Sequence, residues 1–106
     1  MEKSKEKVLN IKHVLDVLSV FTIYFINGDM MSEKLGRSYG FCDFENKIIF
    51  IDIARQKRAI KGTIAHEIFH AYNYLNGVED TEVLARQFEH NTMNKYKKLK
   101  GNKNDI

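Results

Sequence analysis

The stretch from Ala59 to Leu75 constrains this chain more than any other. It is apolar-rich, long enough for about 25 Å of helix, and closed by Asn76-Gly77, a common C-terminal stop. A helix of that length in 106 residues must be packed by nearly everything else in the chain, so a single domain spanning 1–106 is expected. With 43% apolar and 29% charged residues there is enough hydrophobic material for one core. A lone cysteine, Cys42, excludes an intramolecular disulfide framework and a multi-cysteine zinc finger, and it fits a reducing cytoplasm.

The elements around that helix are read from periodicity, because the absence of proline leaves Gly, Asn and Asp as the only punctuation. Lys5 to Ser19 carries Val8, Ile11, Leu15 and Leu18 at helical spacing. Val20 to Ile26 is β-branched and aromatic and reads as a strand. A loop is expected over Asn27–Arg37, holding Gly28, Gly36 and the Met30-Met31 pair. Tyr39–Phe44 and Lys47–Asp52 read as a hairpin turning at Glu45-Asn46. After Gly77, Asp80 looks like an N-cap for a last helix from Thr81 to about Leu99, with Leu84, Phe88, Tyr96 and Leu99 on one side. Gly101–Ile106 is a polar tail. The expected fold class is α+β: an N-terminal helix, a small three-stranded sheet with a hairpin, and two helices against one sheet face.

Within the long helix stands His66-Glu67-Ile68-Phe69-His70, an H-E-x-x-H pattern. Residues four apart on a helix lie one above the other, so both imidazoles can face one ion. Glu67 is rotated about 100° from His66 and falls beside that ion, where it can take a proton from bound water. Ile68 and Phe69 face the other way, with Ile64, Tyr72 and Leu75, and anchor the helix. Catalytic zinc takes three protein ligands and keeps one open position. The third must come from another element, and the start of the last helix offers Glu79, Asp80, Glu82 and, later, Glu89. Glu82 is chosen because it lies in the first turn, and the small Ala85 leaves room beside the metal helix.

The run Thr63-Ile64-Ala65-His66-Glu67-Ile68-Phe69-His70-Ala71-Tyr72, followed by Glu82-Val83-Leu84-Ala85, resembles the gluzincin type of zinc metallopeptidase, whose second helix supplies a glutamate in an E-x-x-A pattern. More closely, the segment from about residue 39 to 90 resembles the small ImmA/IrrE-like metallopeptidases of bacteria, phages and mobile elements. The resemblance implies a minimal zincin-like domain with His66, His70 and Glu82 as zinc ligands and Glu67 as general base. It implies a zinc-dependent peptidase using Glu-activated, zinc-bound water, cytoplasmic, acting on a protein or peptide substrate such as a repressor-like DNA-binding regulator. Two departures stand out. Arg86 follows Ala85 where the wider pattern often has Asn or Asp, which removes an expected partner for a histidine ligand. Many longer relatives continue beyond the third-ligand helix, where this chain has a lysine-rich run over about 95–106, so substrate recognition is expected to be absent or supplied by a partner.

Other features weigh against rival functions. Val14–Ile26 would span only about 20 Å as a helix, short of the roughly 30 Å needed for a bilayer, and it contains Asp16. No membrane segment is therefore expected. The net charge of +3 is concentrated near the C-terminus, where lysines are favoured by the helix dipole; direct nucleic-acid binding is not expected. A donor for a developing oxyanion is sought among Tyr72, Tyr74, Arg86 and His90, and spacing selects none of them. The alternative functions are a catalytically inactive module of the same fold that regulates a partner by contact, and a basic nucleic-acid-associated protein.

Overall fold

The computed structural model describes residues 8–27 and 39–104. The expected helix start at Lys5 and nearly all of the expected loop over Asn27–Arg37 lie outside these residues. The element order is α1 (Ile11–Leu18), β1 (Thr22–Ile26), β2 (Gly40–Asp43), β3 (Ile48–Asp52), α2 (Lys57–Asn76) and α3 (Glu82–Asn104). Among the described residues this is an α+β arrangement of three helices and one mixed sheet in the order β1-β3-β2.

Helix α1 begins at Ile11 because Asn10 caps it. Asn10 Oδ1 accepts from the His13 amide at 3.1 Å, and His13 Nδ1 accepts from the Asn10 amide at 3.0 Å, a reciprocal capping box. The apolar stripe read from the sequence is not the one that packs. Ile11, Leu15 and Leu18 are 69%, 58% and 47% exposed, whereas Val17 is fully buried and Val14 partly so. His13 sets this rotation, meeting the rings of Tyr72 and Phe88 edge-on at 4.6 and 5.6 Å. The face carrying His13, Val14 and Val17 is therefore turned toward the other two helices and the sheet.

Strand β1 pairs in parallel with β3, from Thr22↔Ile48 to Ile26↔Asp52, and β2 pairs antiparallel with β3 on its other side. Ile49 and Ile51, alternating along β3, are both fully buried, as a strand with one face against helices requires. The hairpin turn is longer than expected, covering Phe44 to Lys47. The Asp43 carboxylate accepts from the Asn46 amide and from Asn46 Nδ2, and Lys47 takes a left-handed φ of 59°.

Helix α2 starts at Lys57, two residues before the expected Ala59, and ends in a left-handed Gly77 (φ 62°), with the Val78 amide donating to Asn73 O at 3.0 Å. That closure turns the chain back along the helix. Ala65, Ile68 and Ala71 are buried, and Phe69 lies 4.9 Å from the buried Phe88 of α3. Thr81, not Asp80, caps α3: its hydroxyl accepts from the Leu84 amide at 3.1 Å. The helix continues through Asn104, beyond the expected end near Leu99 and into the expected tail. No helix among the described residues is long and apolar enough to cross a membrane.

At Gly40 the sheet lies close against α2. A Cβ there would sit 2.6 Å from Thr63 Cγ2 and 3.0 Å from the Phe50 carbonyl oxygen. Because one of these neighbours is backbone, Gly40→Ala is expected to destabilise the fold by about 1–3 kcal/mol. Urea unfolding measures this, and an unshifted midpoint would contradict the close approach.

Candidate metal centre

The structure brings His66, His70 and Glu82 together, with one potential ligand atom from each within 4.8 Å of the others. His66 and His70 project from consecutive turns of α2, their ring centroids 4.9 Å apart. Glu82, in the first turn of α3, lies across both: Oε1 is 3.0 Å from His66 Nε2 and Oε2 is 3.1 Å from His70 Nε2. The fully buried Ala85 lies at the contact between the helices, where a larger side chain would hold α3 away.

The other nitrogen of each imidazole is also engaged. His66 Nδ1 is 2.9 Å from Glu89 Oε1, and His70 Nδ1 is 2.9 Å from both Asp80 oxygens. Asn73 Nδ2 donates in turn to Asp80 Oδ1 at 3.4 Å. Carboxylates that receive the outer N–H of a histidine fix its tautomer and aim Nε2 inward, as metal-binding histidines require. Asp80 is therefore a histidine partner rather than a helix cap. One clue was present in the sequence: Glu82 and Glu89 are two helical turns apart and so share a face.

The residues fit a divalent cation. With its Nδ1–H committed to Asp80, His70 presents a lone pair at Nε2; that atom is buried, has no hydrogen-bond partner among the described residues, and lies 3.1 Å from a Glu82 oxygen. Two lone pairs at that separation call for a positive centre between them. Two imidazoles and a carboxylate are a donor set suited to zinc, leaving one position open.

Electrostatics match the geometry. Burial opposes a charge on His66, but its hydrogen bond to the Glu89 carboxylate and the surrounding glutamates outweigh it and hold its pKa above the ordinary histidine value. Burial likewise opposes ionisation of Glu82, yet the two imidazoles pull its carboxyl below the usual range. Glu67 is different. It is only 7% exposed, and burial pushes its pKa up to about 7 even though His66 and His70 act in the opposite direction.

Glu67 borders a cleft of about 560 Å³, lined also by Tyr39, Gly40, His66, Glu82 and Arg86. On its other side a second hollow of about 390 Å³ runs past Phe41, Cys42 and His70. Cys42 is buried there, and burial raises its thiol pKa to about 12, so it is not a thiolate nucleophile. Of the four oxyanion-donor candidates, Arg86 alone lines the cleft. Tyr72 packs on His13, Tyr74 stacks on Phe44 at 4.7 Å, and His90 lies in a neighbouring depression, bonded to Asn94 Nδ2. Tyr39, not singled out in the sequence, joins Arg86 at the cleft. Arg55 lies 4.3 Å over its ring and is held by the buried Asp52 at 2.8 Å.

If the outer carboxylates orient the ligands, Asp80→Ala and Glu89→Ala should each weaken zinc binding by about 10- to 100-fold. Competition with a chromophoric chelator measures this, and wild-type affinity in both variants would exclude the orienting role. Comparison of the chain with protein-family models, curated proteins and solved structures found no match.

Proposed function

We propose that this chain is a zinc-dependent peptidase with a minimal zincin-like, gluzincin-type site, as its resemblance to ImmA/IrrE-like metallopeptidases implies. The observation carrying this reading is the convergence of His66, His70 and Glu82 beside the buried Glu67 at the junction of two clefts. His66, His70 and Glu82 would hold the ion, which when bound supplies Lewis acidity toward a carbonyl and a more acidic water.

The chain's own groups do the rest. The Glu67 carboxylate takes the proton of the attacking water and delivers it to the departing amide nitrogen. Arg86 and Tyr39 lie where they can donate to a carbonyl oxygen as it gains charge. Strand β2 pairs with β3 along one edge, and its residues Gly40, Phe41 and Cys42 border the clefts, so an extended peptide can add along its other edge, which no described strand pairs. A repressor-like regulator is the protein substrate that the resemblance suggests, with a cytoplasmic setting.

The test is incubation of the zinc-loaded chain with a diverse peptide pool, read by mass spectrometry. Cleavage that stops with a chelator and returns with zinc is the expected result. An untouched pool, with zinc bound, would replace this reading by the contact-only module.

A further inference from the structure

The cleft at the metal centre continues along the seam between α2 and α3. It shares Arg86 and Glu89 with a depression of about 520 Å³ that also holds Arg58, His90 and Met93. That depression shares Arg58 and Met93 with a third, of about 280 Å³, bordered by Lys57, Lys61, Tyr96 and Lys97. The three hollows thus form one path leading away from the histidines.

Charge changes along this path. Near the histidines the lining is acidic, but Glu82 and Glu89 are committed to the imidazoles. At the far end no carboxylate of a described residue lines the groove, and Lys57, Arg58, Lys61 and Lys97 are exposed and in no ion pair with a described residue. Lys61 Nζ donates to Tyr96 Oη and lies 4.2 Å from that ring's centroid, which aligns the amine without neutralising it.

Helix formation does not account for these cations. Lys57 and Arg58 occupy the first turn of α2, the positive end of its dipole, where a cation is unfavourable, and Lys61 follows one turn on. That end has no acidic residue in its first turn and no side-chain cap. A local preference broken twice on one groove wall, with Lys61 adding a third cation a turn further on, points to a demand from outside the fold.

We infer that this groove is a docking site for an acidic polypeptide segment, which holds a substrate across the metal centre; the word substrate rests on the peptidase reading above. Nine residues of helix separate His66 from Lys57, about 13 Å. An extended peptide advances about 3.4 Å per residue, so its acidic residues fall roughly four positions from the bond over the histidines. The continuity with the cleft, and with a β2 edge that no described strand pairs, favours a polypeptide over a nucleic acid as occupant.

The experiment uses the zinc-loaded full chain and fluorescence anisotropy. The probes are a labelled peptide with a run of glutamates beside an uncharged segment, its glutamine counterpart, and a single-stranded oligonucleotide of equal charge. The acidic peptide should bind best, and Lys57→Glu/Lys61→Glu/Lys97→Glu should weaken it roughly tenfold or more, with Lys→Gln at the same positions giving a smaller loss. Zinc stoichiometry confirms that each variant is folded. Equal binding of the two peptides, or no effect of charge reversal, would overturn the inference, as would tighter binding of the oligonucleotide. Cleavage is scored separately: an acidic peptide bound through these lysines yet left intact supports the groove and counts against the peptidase reading.

Discussion

Zinc added to the metal-free chain is expected to bind at one ion per chain and raise the melting temperature by on the order of 10 °C, whereas His70→Ala should bind none and gain nothing. The magnitude follows from linkage: a ligand present at a hundred times its dissociation constant stabilises the folded state by about 2.7 kcal/mol, and each kcal/mol moves a domain of this size by about 4 °C or more. The direction follows from the site. His70 Nε2 is buried and faces a Glu82 oxygen at 3.1 Å without a hydrogen bond, an arrangement that a cation relieves. His66→Ala is the companion variant, since His66 is less buried and its loss disturbs the core less. A full wild-type shift in both variants would remove the metal from this site.

Glu67→Gln should separate stability from activity. In the metal-free protein, the carboxyl pKa moves from 4.5 to about 7 on folding because burial penalises the charge. The folded state thus holds its proton more tightly than the unfolded one. No penalty exists below about pH 4.5; it grows as pH rises toward 7 and is complete above, where it amounts to about 3 kcal/mol. The metal-free wild type should therefore lose stability across that window relative to Glu67→Gln, which carries no charge. Paired urea titrations at pH 5 and pH 8 read the difference, and equal losses in the two proteins would contradict it. Zinc should still bind the variant, because Glu67 is not among the three ligand groups, while hydrolysis should fall about 10²- to 10⁴-fold. Undiminished cleavage by Glu67→Gln would rule out its role as base.

The elements nearest the site were legible in the sequence because their signals are local. The histidine spacing, the Asn76-Gly77 stop and the hairpin strands each depend on residues a few positions apart, and α2, β2 and β3 follow from them. What periodicity could not supply was the identity of the opposing surface. Ile11, Leu15 and Leu18 make an acceptable apolar stripe, but the His13 contacts with Tyr72 and Phe88 turn the other face inward. The parallel pairing of β1 with β3 is likewise a long-range choice with no local marker. Asp80 was misread for a related reason. An aspartate just before a helix suits a cap, and only the backward turn at Gly77 brings it to His70 while Thr81 caps instead.

That turn also decides how the candidate site is distributed along the sequence. Both histidines, the intervening glutamate, Glu82 and the two carboxylates at the outer imidazole nitrogens all fall between His66 and Glu89, on two helices and, for Asp80, on the short link between them. The sheet contributes a wall and an edge, but none of those six groups. Length changes at the hairpin of Phe44–Lys47 would leave the six in register, whereas one residue inserted between Gly77 and Thr81 would rotate Glu82 away from the imidazoles. The candidate site is thus carried by one helical hairpin and the link within it.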